Sequence, residues 1–261
     1  MSKPRLIPKL QLKRSGNNPQ RMVLVITKQF GEFIEIGDAV SQAKIFQDQG
    51  ADELIFVNID RIEKNINLLS RVIAKVSEEI FMPITVGGGV NDENDFRLLL
   101  SNGADKISIN SIAVNNPSII TRTSEKFGAQ CVVVGIDYKL DIDGHYKVFI
   151  DNGNKNTGIN PVEWAIECEK LGAGEILLTS IDNDGMRKGL NTEISKCVVE
   201  SVSIPVITSG GCGIAQDFSD GYLIGNADAV SAGSFFAHRD QNFMQTRSQI
   251  KNSGINIRMH S

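Results

Sequence analysis

Short apolar runs bounded by glycine alternate along this chain with stretches of helical spacing. The run 175–180 (EILLTS) lies inside GAGEILLTSIDNDG, between Gly172 and Gly185, and reads as a strand buried on both faces. GADELIFVNID, from Gly50 to Asp60, echoes it 122 residues earlier. The same pattern predicts strands over 5–12, 53–59, 83–86, 106–110, 131–137, 175–180, 205–208 and 229–232. Helices are predicted over 38–49, 67–80, 92–102, 117–127, 161–170, 192–202 and 215–224, with a last helix and short end within 242–257. Residues 13–20 (KRSGNNPQ) read as a polar loop, 22–27 as a short extra strand, and 139–150 as an inserted hairpin.

Eight strands alternating with helices is the pattern of an α/β (β/α)8 TIM barrel. A doubly wound open sheet is the rival. PITVGGG, from Pro83 to Gly89, matches PVITSGG, from Pro205 to Gly211, again 122 residues apart. Two similar half-barrels, roughly 1–128 and 129–261, close naturally into one barrel domain spanning 1–261.

Composition narrows the function classes. The 261 residues carry a net charge of −4, which gives no reason to expect nucleic acid or an anionic membrane as partner. No apolar run has the length of a membrane span, and the basic N-terminus lacks the apolar stretch of a secretory signal, so the chain is expected in the cytoplasm. Cys131, Cys168, Cys197 and Cys212 have no CxxC spacing and read as reduced thiols, and three histidines leave little material for a metal site. Neither a metal nor a cofactor is expected.

A barrel binds its ligand at the C-terminal ends of its strands. Four of those ends are small and rich in backbone N–H: Gly88-Gly89, Asn110-Ser111, Gly210-Gly211 and Gly233-Ser234. Such turns admit a phosphate, and two clusters across one mouth suit a ligand with a phosphate at each end, although tight βα turns would look the same. Asp137 and Asp184 are the acid/base candidates, with Gly185 after Asp184; a turn-capping role is the plainer reading of either aspartate. The two-fold repeat asks for a partner to Asp137 on the first strand, where Gln11 stands instead; a carboxamide takes no proton at neutral pH. At the strand starts, Arg5, Glu53, Lys106 and Glu175 would form an ion-pair ring, which spacing alone assigns to stability.

IPKLQL, FVNID, TVGGGV, GADKISIN, NPSII, VVVGIDYK, NTG, GAGEILLTSIDNDG, TSGGCG and the final NIR together resemble the cyclase subunit of imidazole glycerol phosphate synthase, from Arg5 to Arg258. The resemblance implies a barrel that docks a glutaminase subunit on its bottom face and admits ammonia through a charged gate. Ammonia would then attack a bis-phosphorylated ribulosyl-formimino aminoimidazole carboxamide nucleotide at the top. It assigns the gate to Arg5, Glu53, Lys106 and Glu175, phosphate contacts to Gly89, Asn110, Gly211 and Ser234, a general acid/base to Asp137, and substrate-side places to Thr179 and Asp184.

The departures cluster at the top of the first two strands. Gln11 stands where the family has its general base, KRSGNNPQRM replaces a Gly-rich loop bearing a lysine, and Asn58 replaces an aspartate. Loss of a general base costs about 10²–10⁴ in rate. The alternative expectation is therefore a diverged paralogue that keeps the glutaminase dock and passes ammonia to another acceptor, such as a sugar amidotransferase of surface-polysaccharide synthesis. The sister isomerase of the pathway shares the half-barrel repeat, but it needs a first-strand aspartate and no gate.

Overall fold

Residues that alternate between a polar or small side chain and an aliphatic one close the barrel. The computed structural model describes residues 3–61, 64–237 and 242–259. Its barrel strands are β1 (Arg5–Arg14), β4 (Leu54–Asn58), β5 (Ile84–Gly87), β6 (Lys106–Ile109), β7 (Val132–Leu140), β10 (Glu175–Ser180), β11 (Val206–Ser209) and β12 (Ala229–Ala232). Each pairs in parallel with the next in that order, and β12 pairs with β1, so the eight strands close into the expected barrel.

The alternation sorts the core into two layers. Leu54 and Phe56 face the surrounding helices, while Ile7, Ile55, Val133, Leu177, Ile207 and Ala229 fill the barrel interior with Val57 against them. The outer layer is closed by α1 (Ala39–Asp48), α2 (Ile66–Ser77), α3 (Glu93–Ser101), α5 (Ser118–Phe127), α6 (Pro161–Lys170), α7 (Thr192–Val199), α8 (Ala215–Leu223) and α10 (Phe243–Asn252). Asp38, Asn65, Asp92, Asn160, Asn191 and Asn242 accept hydrogen bonds from the first-turn N–H groups of six of these helices, which fixes where each starts.

Several element boundaries differ from the sequence expectation by one to three residues. Asn65 caps α2 one residue earlier than predicted, and that helix stops at Ser77. Helix α7 stops at Val199, and Pro117 caps α5 instead of entering it. Two short helices, α4 (Ser111–Asn115) and α9 (Ser234–Ala237), were not anticipated.

The larger difference lies above β1. The predicted loop at 13–20 begins as strand: β1 runs on to Arg14 because β2 (Met22–Thr27) pairs with it antiparallel, Gln11 opposite Val25 and Arg14 opposite Met22. β3 (Phe33–Gly37), which the pattern did not predict, extends this ribbon, with every residue exposed. The expected hairpin after the fifth barrel strand forms as β7 with β8 (Tyr146–Ile150), and β9 (Lys155–Asn156) adds a short third strand. Both ribbons follow half-barrel-equivalent strands, so the internal repeat extends to the insertions.

Candidate active site

At the N-terminal ends of the strands, four side chains form a closed ring of alternating sign. Arg5 donates to Glu53 Oε2 at 2.8 Å and to Glu175 Oε1; Lys106 Nζ donates to Glu53 Oε2 at 3.0 Å and to Glu175 Oε2 at 2.8 Å. Glu53 also accepts from Thr85 Oγ1 at 2.6 Å. The two carboxylates are buried and the two cations about three-quarters covered. A carboxylate taken from water is costly unless its lone pairs are used, and here the cations and Thr85 use them. All four residues face the barrel axis, two positions below inward residues of the apolar layer on β1, β4 and β10. Sequence reading placed the ring, and the structure brings its four members together.

Above the apolar layer the barrel opens into a cavity of about 980 Å³. Leu177 and Val57 reach its floor from the layer below. Lys9, Gln11, Asn110, Asp137 and Thr179 stand on its walls, with Gly88, Gly89, Ser111 and Lys64 toward the rim. Most of the predicted top-face residues are thus neighbours.

Asp137 is the electrostatic centre. Asn110 Nδ2 donates to its Oδ2 at 2.7 Å. Burial pushes its pKa up to about 6, against the opposing attraction of Lys9; the nearby Asp184 adds to the rise and Lys64 opposes it. A carboxyl with that pKa can give and take protons near neutrality. Burial also raises Asp184, against the pull of Lys9 at 3.9 Å and of Thr27, whose hydroxyl lies 3.0 Å from Asp184 Oδ2. Gln11 Nε2 donates to the same Thr27 Oγ1 at 3.0 Å. A hydroxyl has one proton to give, and the carboxylate is the stronger acceptor. Thr27 therefore joins Gln11 to Asp184.

Asn58 does not belong to this cavity. On β4 the inward parity falls on Glu53, Ile55 and Val57, so Asn58 points into the helix layer, where it is fully buried. Its Oδ1 accepts from Asp60 N at 3.0 Å, closing the turn after β4. The expectation that it sits on the chemical side is corrected by that parity, and of the two carboxamides only Gln11 lines the cavity.

The glycine turns have a packing reason of their own. Gly88 has φ +90°, and a Cβ there would lie 2.1 Å from Asn58 O; Gly210 has φ +92°, and a Cβ there would lie 2.5 Å from Ser180 O. Asn58 and Ser180 are themselves 122 residues apart, so both contacts are one contact repeated. Gly211 backs onto Gly189 O, and Gly185 onto Thr27 O. Gly210, Gly211, Gly233 and Ser234 are not among the walls of this cavity. The open cavity is bounded by the Gly88-Gly89 and Asn110-Ser111 cluster.

Sequence reasoning missed Lys9, Thr27 and Lys64. Lys9 was legible, because it shares the inward parity of Arg5, Ile7 and Gln11 on β1. Thr27 and Lys64 come from a ribbon and a loop whose paths no periodicity reports. Lys64 Nζ bonds Asn152 Oδ1 at 2.9 Å, and burial lowers its pKa against the pull of Asp137. Cys131, Cys168, Cys197 and Cys212 are free thiols. Among the described residues no His, Cys, Asp and Glu side chains are grouped to hold a metal ion, and no helix is long and apolar enough to cross a membrane.

A family model described as histidine biosynthesis protein matches residues 5–241. Over 261 residues, 99% of each chain, the sequence is 46% identical to a putative imidazole glycerol phosphate synthase subunit hisF2 of Prochlorococcus marinus. It is 44% identical over 229 residues to the imidazole glycerol phosphate synthase subunit HisF of Alkaliphilus metalliredigens, covering 88% of this chain and 91% of that one. It is 43% identical over 227 residues to the subunit of the same name from Clostridium botulinum, covering 86% and 89%.

Proposed function

The chain belongs to the histidine biosynthesis protein family, and from that premise we propose that it is the ammonia-using barrel subunit of a glutamine amidotransferase of the imidazole glycerol phosphate synthase type. The observation that carries the reading is the stacking along one axis: charged ring, apolar layer, then a cavity walled by a carboxyl with a pKa near 6. Neutral ammonia crosses an apolar layer readily, whereas ammonium pays the desolvation cost of an ion. A glutaminase seated on the bottom face would release ammonia against the ring.

At the top, the Gly88-Gly89 turn and Lys64 would take a phosphate of the ligand; a second phosphate would have to reach past the walls of the open cavity to the cluster at Gly210, Gly211, Gly233 and Ser234. Asp137 would exchange a proton with the carbon skeleton as ammonia adds. Gln11 offers no second base on β1, so closure of an imidazole ring would run about 10²–10⁴ below a chain with a carboxylate there. That residue favours a second reading, in which ammonia is passed to another acceptor, such as a sugar amidotransferase. The relative called a putative subunit hisF2 is compatible with it. Purified chain given the bis-phosphorylated nucleotide and saturating ammonium separates the two. Turnover at the rate of an aspartate-bearing relative, or lower by the stated factor, supports ring closure as the activity; no turnover at saturating ammonium supports the second reading.

The docking face makes its own prediction. Phe81 lies in the loop before β5, on the face of the ring, and is 94% exposed. A large aromatic in that position suits an interface anchor. Phe81→Asp should weaken the complex with the glutaminase about thirtyfold or more, equivalent to at least ~2 kcal/mol, while leaving the melting temperature unchanged. Isothermal titration of both proteins with the glutaminase checks this.

A further inference from the structure

Lys9 has no part in the family assignments above, and it stands on the cavity wall one inward position above Ile7 of the apolar layer. Its side chain is 6% exposed, and its ammonium touches the cavity just above the apolar layer. Among the described residues it makes no hydrogen bond; its nearest charged atom is Asp184 Oδ1 at 3.9 Å. With no protein acceptor within hydrogen-bond distance, its three N–H donors are left for whatever occupies the cavity that Lys9 lines.

Resting on the reading that ammonia arrives from below, we propose that Lys9 makes the cavity floor a binding site for one molecule of neutral ammonia and excludes ammonium from it. Ammonia has a single lone pair, which Lys9 Nζ–H can fill, and N–H groups that Asp137 and Thr179 on the same walls can accept. Ammonium has no lone pair and gains nothing from Lys9 but repulsion. The charge balance points the same way. Asp137 and Asp184 face Lys9, and Lys64 faces Asp137 from the rim, while burial raises the pKa of the nearby Cys212 thiol and keeps it neutral, so the charges nearly cancel. Without Lys9 the floor keeps a surplus negative charge, and it would then draw ammonium or any small monovalent cation. Lys9 thus keeps the arriving nitrogen in its nucleophilic form, next to the groups that would use it.

The test titrates ammonium chloride, with potassium chloride as control, into protein labelled at the isoleucine methyls. Ile7 and Ile207, in the layer beneath the site, are the probes. In the unmodified chain the shifts should be specific to ammonium salt. The apparent affinity for total ammonium should rise tenfold or more between about pH 7 and about pH 9, following the neutral fraction. Lys9→Met should lose that rise and should respond to potassium and ammonium alike, while Lys9→Arg, which keeps the charge, should retain the rise. Unchanged melting temperatures show that each variant folds. No ammonium-specific shift in the unmodified chain, or a pH gain that persists in Lys9→Met, overturns the proposal. Glutaminase stimulation is read in a separate titration, so stimulation without ammonia binding would sink this inference and leave the functional reading standing.

Discussion

Gln11→Asp raises ammonium-driven imidazole formation by about 10²–10⁴, the factor that a positioned general base contributes. The side chain at position 11 stands on the cavity wall and reaches Thr27, which in turn bonds Asp184. A carboxylate placed there faces Asp137 across the mouth, as the half-barrel repeat would have it. It also competes with Asp184 for the Thr27 proton, and three carboxylates would then share Lys9. The new group should therefore titrate above the ordinary carboxylate range, and the gained rate should climb with pH through that value. The check is the rate with saturating ammonium as a function of pH, for both proteins. Asn58→Asp, by contrast, should yield no gain, because that side chain is turned toward the helices. Equal rates for Gln11→Asp and the unmodified chain would mean that proton transfer does not limit this site.

Asp137→Asn has the second large effect, and its sign differs between activity and stability. The folded-state pKa of about 6 lies above the usual carboxylate value of about 3.9. The folded chain thus binds this proton more tightly than the unfolded chain does. Stability is lost as pH rises from about 4 to about 6, and the loss is complete above that window. Two pKa units correspond to about 3 kcal/mol. Asp137→Asn removes the cost, so the variant should be more stable than the unmodified chain at pH near 8 by up to that amount and no more stable near pH 4. The carboxamide oxygen can still accept from Asn110 Nδ2, so little packing is disturbed. Ammonia-driven turnover should fall by about 10²–10⁴ at the same time. Urea melts at the two pH values decide the matter, and a destabilisation of equal size at both would show that Asp137 is structural. A group that costs stability while serving chemistry is what a working site is expected to hold.

The barrel was legible because its information is periodic. Inward and outward side chains alternate on each strand, and the 122-residue offset repeats strands, glycine turns and even the Asn58 and Ser180 contacts behind them. The charged ring was legible for the same reason, since Arg5, Glu53 and Glu175 hold inward parity with Ile7, Ile55 and Leu177. What escaped was set by paths between elements. β3 has a strand's sequence only in part, and its exposed side chains give no core-facing alternation. The return of β2 over the mouth, which brings Thr27 between Gln11 and Asp184, follows from pairing with β1 and has no local signal. Lys9 and Asn58 differ from these: their parity was in the sequence, and reading residue types at strand ends without it promoted one wrongly and missed the other.

The account depends on ammonia being supplied from beneath the charged ring. The direct measurement is glutamine hydrolysis by a glutaminase subunit of the imidazole glycerol phosphate synthase type, with the chain titrated in. A one-to-one complex and a rise in hydrolysis of tenfold or more are expected, with both shifted to about thirtyfold higher chain concentration or beyond in Phe81→Asp. Hydrolysis unchanged at saturating chain, with no complex formed, would contradict the account.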